Sequence, residues 1–465
     1  MHLNLLYLFI NPFLSNEYSP VKIEIKKNII YKLPENKKNI IKKINGFYGQ
    51  IGPNPKYYNE NYHLFEGDGM IHGIFFDNGN LTYNNHWIKT DKLNFENKLN
   101  FKIPISISTI KKKEILFLSF IYKFLELFKI VPNFMGTANT ALWKNNNKIY
   151  ALHERDKPYE IDINFKNKNI ETLKKIDLKN IEFFTAHPRK DLHNIYVASY
   201  DNFRPIVRIL KYNKNLSLIK YKDINTKYNN IIHDIMVTDN YIIFCDTPYQ
   251  FNITQLLNDK TPFYFDKTQK NRFCIVSKDL EIIYYIDCNE SFFIFHYNNF
   301  YEDNNKIYFT AIVRNNFDMD MLSSNISNIK NINYSKYRKF IINKKTKKII
   351  IEKKKEFENF NVDFPISKDN ITVLSIIKNT FDIIGFLIVK DFKLIKKKIL
   401  EDRKIYAEPT IIEIYKKKYI VCFTYDKYFN SYLYVYDYMK NDCIEIKLGV
   451  KINKGFHSIF VENKI

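Results

Sequence analysis

The sequence predicts an all-β protein of propeller type, and three observations predict it. Short runs rich in Ile, Tyr and Phe, separated by polar turns, continue along the 465-residue chain to its C-terminal part, as in YIVCFTYD and YLYVYDY. No Gly/Ser-rich or Pro-rich linker divides these runs; only 11 Gly and 14 Pro are present, so one large domain over 17–465 fits better than the two or three that length alone suggests. Most informative are four histidines that lie far apart yet begin similar stretches: His187 in FFTAHPRKDLHNIYVASY, His233 in IIHDIMVTDNYIIFCD, His296 in FIFHYNNFYEDNNKIYFTAI and His457 in GFHSIFVE. In the first three, an apolar run leads into the histidine, a polar turn follows, and a new strand opens near Ile195, Tyr241 or Ile307. If such hairpins stand radially around an axis, four imidazoles from distant positions converge on one metal ion. Blades of about 40–45 residues fit the length seven or eight times, with loops and a helical cap to spare.

At the N terminus, LNLLYLFINPFL is apolar but has no basic stretch before it and no small-residue cleavage site, so residues 1–16 read as a leader or arm of unknown role. One segment, 111–131 (KKKEILFLSFIYKFLELFKIV), reads as strongly helical. Lys123 and Glu126 interrupt it, and it is too short and too charged for a span of about 20 apolar residues. Ile115, Leu118, Ile121, Tyr122, Leu125, Phe128 and Lys129 follow helical spacing, which suits an interfacial helix or an amphipathic lid packed on the β body.

Composition narrows the partners. The formal charge of +22 comes from scattered lysine runs in a Lys-, Asn- and Ile-rich chain, and no nucleic-acid module is visible; a solvated basic surface with some attraction to membranes fits best. Five cysteines, odd in number and without a CxxC pair, favour reduced thiols in a reducing compartment, cytoplasmic or plastid-type. The 39 Phe and 35 Tyr are mostly core, with some available to line an apolar tunnel. His63 and His72 flank FEGDGM, where Gly67-Asp68-Gly69 reads as a tight hairpin turn, and they are assigned structural roles. His153 and His193 are assigned to the surface or to a layer behind the site.

Ordered motifs then point to a family. EYSPVKIEI, GFYGQIGPNPKYY, YHLFEGDGMIHGIFF, GTANTALWKNNNKIYALHERDKPYEID, the four histidine segments, VDFPI, AEPTII and GFHSIFV resemble the carotenoid cleavage dioxygenases from about Glu17 to Val461. The resemblance implies a seven-bladed β-propeller with a helical cap, and Fe(II) on the axis held by His187, His233, His296 and His457. By motif position it makes Glu154, Asp363 and Glu408 the acids behind the imidazoles, and Thr140 the threonine beside the vacant coordination site. Asp363 stands where many members have Glu. The chemistry agrees with such a set: imidazole suits iron, and outer carboxylates fix each ring's tautomer.

HERDKPYEI, TQKNRFCIVSKD, NFDMDMLSSNI and VDFPI are most like the plant-type, 9,10-cleaving branch, although the interval from Asp363 to Glu408 is shorter than that branch's. The resemblance implies cleavage of a conjugated C=C bond of a carotenoid or apocarotenoid with O₂, and peripheral contact with a membrane that supplies the apolar polyene. Stilbene-type cleavage, a retinoid isomerohydrolase-like reaction and a non-catalytic isoprenoid-binding propeller are the other readings; retention of all four histidines argues against the last.

Overall fold

The computed structural model describes residues 20–25, 28–31, 33, 40–57, 63–106, 109, 113–258, 260–317, 334–378 and 382–463. The N-terminal stretch 1–16, Lys111, Lys112 and most of NFDMDMLSSNI lie outside them. The described chain is built almost wholly of antiparallel strands, with few helices.

A sheet of five strands joins early and late parts of the described chain: Ser458–Glu462 pairs antiparallel with Gly46–Pro53, Gly46–Pro53 with Gly69–Asp77, Gly69–Asp77 with Asn80–Trp87, and Asn80–Trp87 with Ile29–Tyr31. Four-stranded sheets begin in the chain at Ala141–Asn145, Arg189–Lys190, Met236–Val237 and Phe293–Glu302. A nine-stranded sheet runs from Val362–Lys368 to Asp442–Lys447 and carries Thr410–Ile414 as a side branch. The first strand of each four-stranded sheet is an edge strand, as are Ser458–Glu462 and Val362–Lys368. These edges meet one another: Arg189–Lys190 with Met236–Val237, that strand with Phe293–Glu302, then Val362–Lys368, Thr410–Ile414, Ser458–Glu462 and Ala141–Asn145.

Burial explains which runs became which strands. Middle strands such as Gly69–Asp77 and Lys306–Arg314 are buried along nearly their whole length and carry the Ile, Phe and Val runs. Outer strands such as Leu218–Asn225 and Lys393–Ile399, the latter paired only with Asp382–Lys390, are exposed or half-buried nearly throughout and carry lysines, so basic runs of the sequence end up on solvated edges.

Helix α1 (Asp91–Leu99) was not legible in the hydrophobic pattern; Thr90 caps it, accepting from Leu93 N at 3.1 Å, and Asn100 closes it at a left-handed φ of 50°. Helix α2 (Lys113–Leu127) falls within the segment read as helical. Its expected single apolar stripe is split. Ile115 and Tyr122 pack with Ile103, Ile105 and Phe134, whereas Phe117, Leu118, Phe120, Ile121, Phe124 and Leu127 are exposed. Among the described residues no helix is long and apolar enough to cross a membrane.

Gly67-Asp68-Gly69 is not a tight hairpin turn. Pro53 pairs with Gly69, and the whole stretch 54–68 connects their strands. Asp68 is buried there and takes the ammonium of Lys92 at 2.9 Å, an ion pair that sequence spacing does not reveal.

Candidate metal centre

Each of the four histidines enters the site at the start of, or within, an edge strand. His187 precedes Arg189–Lys190, His233 precedes Met236–Val237, His457 precedes Ser458–Glu462, and His296 lies in Phe293–Glu302 where the register with Lys306–Arg314 shifts. Such irregularities re-aim a side chain without breaking the sheet. One potential ligand nitrogen from each ring lies within 4.8 Å of all the others. The Nε2 atoms of His187 and His233 are 3.0 Å apart, and those of His233 and His296 are 3.3 Å apart.

The outer nitrogens are braced. His233 Nδ1 bonds Glu154 Oε1, His296 Nδ1 bonds Asp363 Oδ1 at 2.7 Å, and His457 Nδ1 bonds Glu408 Oε2 at 3.2 Å. A carboxylate can only accept, so each of these rings carries its proton on Nδ1 and turns a lone pair on Nε2 inward. Among the described residues no carboxylate bonds the ring of His187, and burial together with the neighbouring imidazoles holds its pKa well below the usual value. Burial opposes ionisation of Glu154, but the charge and hydrogen bond of His233 and the hydroxyl of Tyr200 outweigh it and lower the pKa. Burial also opposes ionisation of Asp363; Arg314 and His296 overcome it and hold that carboxyl well below the ordinary range.

The donor set fits a transition-metal ion. Two imidazole nitrogens about 2.1 Å from one ion, and roughly at right angles, stand about 3 Å apart, which is close to the spacing seen between His187 and His233 and between His233 and His296. Three separate carboxylates behind three of the rings match the way metal-binding imidazoles are oriented.

Thr140 stands just before Ala141–Asn145; its hydroxyl bonds Asn139 Oδ1 at 3.1 Å and, among the described residues, no histidine, and it lines a cavity of about 800 Å³. The same cavity reaches His233, His296 and His457, then Phe295 and Phe364, and extends to Leu116 and Phe120 of α2. His153, expected at the surface or in a layer behind, lines it as well, with Nδ1 accepting from Arg155 N. His193 is exposed. His63 and His72 are fully buried away from the cluster; His72 bonds Tyr83 and Asn453.

Sequence reasoning missed the residues that tie the histidine segments together. Asp234 accepts from Arg189 Nε at 2.9 Å and from Tyr297 N at 3.0 Å, so three segments, each next to a histidine, share one buried carboxylate. The signal was present as a charge adjacent to or near a histidine in HPRKD and HDIM. Arg314, bonded to Asp363, could have been found as the one charge closing the apolar run IYFTAIV.

A family model described as retinal pigment epithelial membrane protein matches residues 39–462. The chain belongs to this family, the carotenoid oxygenases. It is 31% identical over 294 residues to carotenoid 9,10(9',10')-cleavage dioxygenase 1 of Arabidopsis thaliana, a match that covers 61% of this chain. That match spans 54% of the plant protein's length. Among solved carotenoid oxygenase-like structures, the cobalt-substituted Synechocystis apocarotenoid oxygenase superposes with a TM-score of 0.78 at 18% identity, covering 96% of this chain and 98% of that one. A lignostilbene dioxygenase of Pseudomonas brassicacearum gives 0.76 at 17% identity, covering 96% and 97%. At such identities the superpositions establish a shared fold.

Proposed function

We propose that this carotenoid oxygenase is an Fe(II)-dependent dioxygenase that splits a conjugated C=C bond of a carotenoid or apocarotenoid with O₂, giving two carbonyl products, with the cut at the 9,10 position. The observation that carries the reading is the convergence of four imidazoles, three backed by Glu154, Asp363 and Glu408, at the inner end of an aromatic-walled cavity. The names of the plant relatives support the bond position.

His187, His233, His296 and His457 would hold the iron. Bound there, iron supplies the one-electron chemistry that O₂ needs before it reacts with a closed-shell polyene. The chain's own residues do the rest. Glu154, Asp363 and Glu408 keep the imidazole protons on Nδ1, and Phe295 and Phe364, whose rings contact His233, His296 and His457, form an apolar wall that excludes water and suits a polyene. Thr140 contributes a hydroxyl to the same wall beside the reacting bond. Because the ligands are fixed, the bond attacked is the one that cavity depth delivers to them.

The edge strands described above are read as the innermost strands of seven blades, with α2 in the cap. The exposed apolar residues of α2 are read as the surface that meets a membrane, from which an insoluble polyene is collected. All five cysteines are free thiols, four of them buried, in keeping with a cytoplasmic or plastid-type compartment.

The test supplies purified protein with Fe(II), ¹⁸O₂ and candidate polyenes and identifies products by mass. A C13 ketone with an ionone-type ring and a longer apocarotenal, each with one labelled oxygen when exchange with water is controlled, is expected. Retinal as sole product moves the cut to the central bond. Cleavage of a hydroxylated stilbene with no cleavage of any polyene replaces the substrate class.

A further inference from the structure

Arg314 closes the strand Lys306–Arg314, in register with Phe293 and therefore beside the segment that carries His296. Its side chain is buried, and its guanidinium lies over Phe295 and Phe317, 5.5 and 5.8 Å from the ring centroids. Nη2 donates to Asp363 Oδ2, while Oδ1 of the same carboxylate accepts from His296 Nδ1 at 2.7 Å and from Phe364 N at 2.8 Å. A cation, a carboxylate and a metal-facing imidazole thus form one continuous chain across two sheets.

We propose that Arg314 is a positioning residue for the metal centre, acting through Asp363 to fix the direction of His296. The inference rests on the four-histidine iron reading above. Taking a guanidinium out of water is costly, and it is offset only when the geometry with its partner is good. Here the partner is the acid with the shortest reach. An aspartate has one methylene fewer than a glutamate, and its strand comes to the site through a register shift between Asp363 and Ile366, with Phe364 at a left-handed φ of 52°. With His296 and the Phe364 amide both on Oδ1, the second oxygen would be left without a donor and the carboxylate less firmly fixed about its last bond. Separate donors on its two oxygens remove that freedom, as bidentate and charge-assisted bonds do. Among the described residues, the other two acids pair with no arginine or lysine: Glu154 is steadied by the hydroxyl of Tyr200 at 2.8 Å, and Glu408 bonds His457.

The test follows loss of iron from the loaded protein to an excess of chelator, by absorbance. Arg314→Met is expected to release iron about tenfold faster than the parent, within the range that removal of such supporting partners produces, and Arg314→Lys to fall between them. Asp363→Asn is also expected to speed release, and the Arg314→Met/Asp363→Asn pair to be no faster than Asp363→Asn alone, because both act on one bond. Multiplicative effects, or parental release from Arg314→Met, would overturn the proposal. If circular dichroism shows that Arg314→Met does not fold, Arg314→Lys decides: faster release supports the role and parental release removes it. His233→Ala that keeps its iron would overturn the ligand reading and this inference together. His233→Ala that loses iron while Arg314→Met holds it overturns this inference alone.

Discussion

Glu154 stands between Tyr200 and His233, accepting the tyrosine hydroxyl on Oε2 and bonding the imidazole Nδ1 through Oε1. The glutamate follows the strand Lys148–Leu152 in one sheet, Tyr200 ends a strand of the next, and His233 introduces the sheet after that. One carboxylate therefore sets the relative position of three sheets at the point where the imidazoles meet.

The first expected outcome concerns the imidazoles themselves. His→Ala at 187, 233, 296 or 457 removes one donor from a set whose members all lie within 4.8 Å, so iron content should fall from about one per chain and turnover should drop severely. His63→Ala and His72→Ala should keep their iron, because neither side chain belongs to the cluster. Metal analysis of the purified variants checks this, and a variant with full iron and activity loses its place among the ligands.

The carboxylates make the second. Glu154→Gln, Glu408→Gln and Asp363→Asn should each cost roughly 10–100-fold in metal affinity or activity while far-ultraviolet circular dichroism stays unchanged. Asp363→Glu is not expected to improve the site, since the aspartate already reaches His296 at 2.7 Å and the extra methylene would push against Arg314. A gain on lengthening would show that Asp363 is held too far back. Equal iron affinity in all the variants would make the acids ordinary buried residues.

Much of this centre was legible in the sequence because it is built from repetition: four histidines in similar contexts, and acids at fixed places in recognisable motifs. What was not legible depends on contacts between strands that are distant in the chain. Asp234 joins Arg189 to Tyr297, and Arg314 reaches Asp363, only once separate sheets are set beside one another. Helix α1 escaped notice for a different reason. Its buried side chains include Lys92 and Glu96, which satisfy each other at 2.8 Å, so its hydrophobic pattern is weak. The split of α2 into packed and exposed apolar faces could not be read from spacing either, because both faces are apolar.

A third prediction concerns pH. Burial lowers the His72 pKa from the ordinary imidazole value near 6.5 to about 4, and His153 is lowered to about 4 by the same cause. Between those values the unfolded chain binds protons that the folded chain does not, so stability rises with pH in that window. The contribution of neutral His72 is complete above about pH 6.5 and is lost as the pH falls to about 4, on the order of 3 kcal/mol. His72→Gln should therefore be less stable than the parent at pH 7 but lose less on going to pH 5, with His153 leaving part of the slope in place. Urea unfolding at the two pH values measures this; parallel losses in parent and variant would mean that folding does not lower the His72 pKa.

The last prediction separates two readings of α2, structural lid and membrane contact. Ile115 and Tyr122 face the body of the protein, and Leu116 and Phe120 line the cavity, whereas Phe117, Phe124 and Leu127 are 66%, 61% and 76% exposed. Exposed aromatic rings and aliphatic side chains together on one short helix are unfavourable in water, and they become favourable if that face enters the headgroup boundary of a bilayer. Replacing Phe117, Phe124 and Leu127 together by Ser leaves the packed face and the cavity wall intact. Binding to liposomes and activity on bilayer-embedded polyene should then fall together, while activity on detergent-dispersed substrate stays close to that of the parent. Tyr122→Ser is the counterpart, because it removes the ring packed edge-on against Phe134 at 5.7 Å and the hydroxyl bonded to Pro132 O at 2.9 Å. That change should reduce activity in both assays and lower thermal stability. If the exposed-face triple variant also loses activity equally in detergent and in lipid, α2 acts as a structural lid and the membrane reading falls.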